Sequence, residues 1–250
     1  MRSHLRSERR VNIVTRKKIL FVIVEGSSDD EALGVILSRI YDKNSVYIHI
    51  THGDITTRFN YAPNKNIFTM ISDMIRGYAN SNHFRKSDFK EIIHIVDMDG
   101  AFIPDDNIIE DPTAEKPQYL HAEIRTCSKR GIIERNKMKR GSINSLCCRS
   151  TIWDVPYRVF YMSCNLDHVL YNKQNSNDAE KEKNALNFAK FYKDRIHDFI
   201  TFISDSEFSV MSDYKESWDF IKQELHSLER HSNLGLCFKE DIDDTTVLKS

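Results

Sequence analysis

From residue 17 onward the chain alternates between short, β-branched apolar runs and stretches in which apolar residues recur every three or four positions. Alternation of those two periods is the mark of parallel βαβ units. The run ILFVIV at 19–24 predicts a first strand. A helix should follow at once, its apolar face made by Ala32, Leu33, Ile36, Leu37, Ile40 and Tyr41, with Ser28 and Glu31 spaced as a capping box. A second strand is expected over 46–51, a helix over 67–78, a third strand over 92–96 and a fourth over 157–162. Between the third and fourth strands lie an acidic loop, 104–117, and a basic helix within 118–139 that is interrupted near Gly131. Connections longer than about 12–15 residues are usually functional or disordered. Past Asp167 a polar run, 172–183, leads into helices expected over about 184–203 and 214–228, and the acidic stretch 239–244 should fray. The pattern predicts an α/β fold with a mostly parallel sheet flanked by helices over 18–170, preceded by a basic arm at 1–17 and followed by a helical C-terminal region at 171–250.

Composition narrows the class. With 250 residues, 40% hydrophobic and 29% charged, the chain suits one α/β domain with a smaller appendage. No apolar run approaches the roughly 18 residues of a membrane helix, and the basic N-terminus lacks the apolar core of a secretory signal, so a cytoplasmic protein with no membrane partner is expected. The five cysteines form no C-x-x-C pair, which argues against zinc and a disulfide framework. The net charge of −1 hides an uneven distribution, because residues 1–18 and 125–140 each carry +6. Such asymmetry suits a polyanionic partner, or a solvated basic surface.

The chemistry sits at the strand ends. The first strand delivers Glu25 into a Gly/Ser turn, and the run IIHIVDMDG ends the third in Asp97 and Asp99. Ligands of open parallel sheets bind beyond the carboxyl ends of the strands. If the two strands are neighbours, three carboxylates converge there, at a repulsive cost of roughly 1–4 kcal/mol per close pair that a cation would relieve. An all-oxygen set favours magnesium or manganese. Magnesium shares its shell with phosphate groups, so phosphoryl or phosphodiester transfer is the natural chemistry. Asp29 is either a fourth ligand or an acid complementing the helix dipole. Asp167 is either a ligand or a helix N-cap. His168, beside it, suits a structural role better than a general base.

Val24-Glu25-Gly26-Ser27-Ser28-Asp29, followed by an amphipathic helix and then by a strand ending Asp97-Met98-Asp99, resembles a TOPRIM domain over roughly 17–167. That resemblance implies a TOPRIM-like fold and a magnesium site held by Glu25, Asp97 and Asp99. The V-E-G-x-S-D form is most similar to OLD-family and small stand-alone TOPRIM nucleases. There the aspartate four after the glutamate also serves the metal, which implicates Asp29, and Asn165-Leu166-Asp167 is similar to a further acidic element of that group. The resemblance implies a metal-dependent nuclease, an effector of anti-phage or abortive-infection systems acting on RNA (tRNA included) or DNA. Its implied partners are the nucleic acid, a separately encoded ABC-type ATPase and a second copy of the chain. The C-terminal helices would dock a partner or pack on the sheet. In the basic segment Arg125, Lys129, Arg130, Lys137, Lys139 and Arg140 would grip the backbone, with Lys129 and Arg130 or Lys139 and Arg140 stabilising the transition state.

Two rivals remain. IIHIVDMDGAF also resembles the first motif of haloacid-dehalogenase phosphatases, with Asp97 as nucleophile, Asp99 as acid/base and Ser163 as a second motif. That reading places the motif unusually far from the N-terminus and leaves VEGSSD unexplained. The other rival is a catalytically silent subunit that uses the fold as a scaffold.

Overall fold

A computed structural model describes residues 17–41, 46–52, 55–57 and 66–239. Residues 1–16 of the basic arm and the acidic tail from residue 240 lie outside them. Among the described residues the order is β1 (Lys18–Val24), α1 (Ser27–Ile40), β2 (Val46–His52), α2 (Ile67–Ser81), β3 (Phe89–Asp97), β4 (Ile108–Glu110), β5 (Gln118–Tyr119), β6 (Ile124–Thr126), α3 (Lys129–Leu146), β7 (Thr151–Ile152), β8 (Val155–Met162), α4 (Leu166–Tyr171), α5 (Asp178–Tyr192), α6 (Ile196–Ser204) and α7 (Tyr214–Ile221).

The main sheet runs β2-β1-β3-β8-β7. Its first four strands are parallel and only the short β7 is antiparallel. Period-two alternation along β1 explains the two-sided core. Leu20, Val22 and Val24 join α1, α5 and α6 on one face, whereas Ile19, Phe21 and Ile23 meet α2, α3 and Trp218 of α7 on the other. Strands buried on both faces read as continuous apolar runs, which is why β1 and β3 stand out in the sequence. From β1 the chain first goes outward to β2 and then returns to place β3 on the opposite side. The strand order therefore reverses between β1 and β3, and a crevice opens beyond their carboxyl ends. No helix among the described residues is long and apolar enough to cross a membrane.

Several expectations need correction. The segment 118–139 is not one helix: β5 and β6 pair with β4 in a separate three-stranded sheet, and α3 starts later and runs unbroken through Gly131 to Leu146. Ser128 sets that start by accepting the Gly131 N–H through its side chain (3.2 Å). The helix expected over 184–203 is two helices, and α5 begins early because Asn177 and Glu180 cap it reciprocally (3.0 and 2.9 Å). At α1 the cap is not made by Ser28 and Glu31. The N-cap is Gly26, and Asp29 reaches back to accept its N–H at 2.8 Å.

The helices after 171 share their core with the sheet: Phe188, Phe199, Ile203 and Phe238 lie in the cluster that holds Leu20 and Val22. Gly235 is the tightest point, where a Cβ would come within 2.6 Å of Met211 Sδ, 2.8 Å of the Ile203 carbonyl and 3.0 Å of Ser204 Cα. Gly235→Ala should cost about 1–3 kcal/mol in urea unfolding, because backbone cannot move aside. Gly77→Ala, on the open face of α2 with nothing within 4 Å, should instead stabilise by up to about 1 kcal/mol.

Candidate metal centre

Because β1 and β3 are parallel neighbours, Glu25 and Asp97 leave the sheet side by side at the point of strand-order reversal. The contact is direct: Glu25 Oε1 accepts the Asp97 backbone N–H at 3.1 Å and lies 3.5 Å from the Thr56 hydroxyl. Beyond β3 the chain turns sharply. Asp99 and Gly100 both have positive φ (50° and 63°), and Ala101 N–H closes the turn on the Met98 carbonyl at 2.8 Å. Glycine takes that conformation freely and aspartate tolerates it. The turn swings the Asp99 carboxylate back toward Glu25.

Between those two carboxylates stands the Lys139 ammonium, on a side chain that is 0% exposed. It pairs with Asp99 Oδ2 and lies 3.4 Å from Glu25 Oε1. Arg135, one turn earlier on α3, donates to the Asp99 carbonyl and to the Tyr119 hydroxyl, both at 2.8 Å, and that hydroxyl donates to Asp99 Oδ1 at 3.3 Å. Burial pushes the Asp99 carboxyl up, but Lys139 and Arg135 outweigh it and hold its pKa below the ordinary value. Asp97 goes the other way. It lines a small cavity and is partly reachable by solvent, and burial first, then Glu25, Asp29 and Asp99, drive its pKa well above the usual carboxylate range. Its Oδ1 accepts the Leu166 N–H at the start of α4 (3.0 Å).

The two secondary acids flank this group. Asp29 caps α1, as its dipole-complementing reading had it, yet it is buried and close enough to raise the Asp97 pKa. Asp167 is not an N-cap. Asn165 takes that role through the His168 N–H (2.9 Å), while Asp167 is 4% exposed and its Oδ2 has no hydrogen-bond partner. Burial raises its pKa. The neighbouring Ser176 hydroxyl first, then Lys181 and Lys173, draw the pKa partly back, although the hydroxyl completes no well-aligned hydrogen bond. His168 is buried, with a pKa lowered to about 4 by burial and then by Arg230, and is therefore a neutral packing residue. Ser163 gives its hydroxyl to the carbonyls of His226 (2.6 Å) and Glu229, which occupies it structurally.

The basic segment does not form one surface. Lys139 faces inward, and Arg135, which the sequence did not single out, is partly buried beside it. Arg125 is tied to Glu123 at 2.7 Å and Arg130 to Glu134 at 2.9 Å. Lys137 lines a groove of about 660 Å³ between α2 and α3. Lys129 and Arg140 are half-buried on α3. Among the described residues no three His, Cys, Asp or Glu side chains stand in the arrangement of a metal shell. The donors nonetheless fit a hard divalent cation: all are carboxylate oxygens, Asp97 carries repulsion that Lys139 offsets only in part, and Asp167 Oδ2 is orphaned. No protein-family model matches the chain, and no curated protein or solved structure is significantly similar to it.

Since its folded-state pKa is raised, Asp97 disfavours folding increasingly as pH rises from the unfolded value, about 3.9, toward the folded one. Without metal, Asp97→Asn should therefore be more stable than wild type at pH 8, by about 1–4 kcal/mol, the size of one close like-charge repulsion. The difference should shrink as pH falls toward 5 in thermal melts taken in EDTA.

Proposed function

We propose that the chain is a TOPRIM-like, metal-dependent nuclease that hydrolyses phosphodiester bonds. The observation that carries this reading is the meeting of Glu25, Asp97 and Asp99 where strand order reverses between β1 and β3, with a buried lysine between two of them. Glu25, Asp97 and Asp99 would hold magnesium or manganese, with Asp29 and Asp167 in support. When bound, such an ion supplies Lewis-acid stabilisation of phosphate charge and lowers the pKa of water.

The chain's own groups have separable tasks. Lys139 places a fixed positive charge beside the carboxylates, where a phosphoryl group would gain negative charge during attack, and burial strengthens it. Arg135 is a positioning residue: its bonds to the Asp99 carbonyl and Tyr119 hold the left-handed turn in place. The Leu166 N–H fixes one Asp97 oxygen and so orients its carboxylate. A role as effector in bacterial anti-phage defence, beside a separately encoded ABC-type ATPase, rests on the sequence resemblance alone.

Glu25→Gln keeps an acceptor for the Asp97 N–H but removes the charge. Cleavage of total RNA or plasmid with magnesium or manganese should fall at least about 100-fold, since even residues behind a metal ligand cost 10–100-fold. The melting temperature in EDTA should change by only a few degrees. Near wild-type cleavage in this variant would remove the metal assignment. Hydrolysis of p-nitrophenyl phosphate that survives Glu25→Ala would identify the dehalogenase-type phosphatase instead. Lys139→Met should lower the cleavage rate by about 10²–10³ while magnesium still raises the melting temperature.

A further inference from the structure

Beside the carboxylates a second feature opens. A cavity of about 250 Å³ is bounded by Asp97, Asp99, Tyr119 and Ser176, with Lys116 and Lys181 also in its lining. Its walls are tied together. The Asn175 side chain accepts the Tyr119 N–H at 2.8 Å and donates to the Tyr119 carbonyl at 2.7 Å, clamping β5 to the approach of α5. Asn165 donates to the Gln174 carbonyl at 3.0 Å and closes the floor.

The polar groups of this cavity divide into those already used and those left over. Lys139 and Arg135 are consumed by Asp99, Glu25, Tyr119 and Asn136. Glu180, the acid next to Lys181, is turned back onto the Asn177 N–H by the α5 cap. Among the described residues the Lys181 ammonium makes no hydrogen bond or ion pair, although it is close enough to Asp29 and Asp167 to act on both electrostatically. Ser176 is 8% exposed and its hydroxyl, although close to the Asp167 carboxylate, completes no hydrogen bond, so a buried donor in the cavity wall lacks a well-placed acceptor. Such a group is destabilising unless something supplies one.

An acidic centre repels the polyanion it is meant to cut, and a phosphate next to the reacting one needs cations and hydroxyl donors that the centre does not itself consume. Lys181, Lys116 and Ser176 are the groups that meet this requirement in the cavity containing Asp97 and Asp99. We infer that this cavity seats the nucleotide flanking the scissile bond of a single strand, its phosphate received by Lys181 and Lys116 with the Ser176 hydroxyl as donor. The inference rests on the nuclease reading. It moves the substrate grip from the outer face of α3 to the mouth between β5 and α5. At about 250 Å³ the cavity lies below the roughly 300–1,000 Å³ of drug-sized ligand sites, which limits its occupant to part of a single strand and excludes a duplex.

The test is anisotropy of short fluorescein-labelled single-stranded RNA and DNA oligonucleotides of mixed sequence, bound to the full chain with calcium replacing magnesium, over about 50–200 mM salt. Lys181→Ala should weaken binding about 5-fold or more and reduce the slope of log K against log salt by about 0.7, the value for one phosphate contact on a single strand. Lys116→Ala with Lys181→Ala should reduce it by about 1.4, and Lys181→Arg should restore the slope. Unchanged affinity and slope in Lys181→Ala, with the loss found instead in Lys129→Ala/Arg130→Ala, would overturn this inference and leave the nuclease reading standing. A wild-type chain that neither binds nor cuts either oligonucleotide would overturn both.

Discussion

The buried ammonium of Lys139 is what allows this end of the sheet to exist as drawn. Two neighbouring parallel strands bring carboxylates to one crevice, and carboxylates gathered in low dielectric repel one another by amounts comparable to a large part of a domain's net stability. One lysine placed between Glu25 and Asp99 offsets part of that repulsion. Asp97 keeps a raised pKa, set first by burial and then by Glu25, Asp29 and Asp99, which Lys139 offsets only in part. The site is therefore divided into a compensated half and a strained half. A protein built only for stability would have no reason to keep the second half acidic.

The compensation is supplied by one helix. Lys139, Arg135 and Asn136 all come from α3 and bind the same short stretch: Asn136 approaches the Gly100 carbonyl at 3.4 Å, and Arg135 bonds the carbonyl of the residue before it. Farther along, Ser142 fixes the Thr56 carbonyl at 2.9 Å, and Thr56 in turn faces Glu25. The helix thus braces both carboxylate-bearing strands from the side, and its position is set by Ile143 and Leu146 in the core beneath the sheet.

Much of the framework was legible from the chain. β1 and β3 are long apolar runs because they are buried on both faces, and the motif residues follow them directly. Lys139 was harder to place, because a segment at +6 reads as solvated surface. The available signal was its position: Ile132, Asn136, Lys139, Ile143 and Leu146 recur at helical spacing and form the buried stripe of α3, so the lysine interrupts an apolar face. Arg135 and Tyr119 carried no such signal, since their roles depend on contacts across 36 and 20 residues. The small sheet was invisible because strands of two and three residues are too short to show a period. Neither proline nor glycine marks the break between α5 and α6. Asp167 reads two ways in the sequence because Asn165, two residues before it, is an equally good cap and takes that role.

The turn that carries Asp99 is also held from the far end of the chain. Gly100 N–H and Cys164 N–H both donate to the Ser227 carbonyl at 3.0 Å, the Ser227 hydroxyl accepts the Phe102 N–H from 125 positions earlier at 3.0 Å, and Ser163 N–H donates to the His231 carbonyl at 2.8 Å. A chain emerging from a ribosome at about 5–20 residues per second would complete β1 and β3 well before it could lock this turn. The acidic centre is thus assembled late in synthesis, and a truncated product carrying every carboxylate would still lack the backbone clasp that aims one of them.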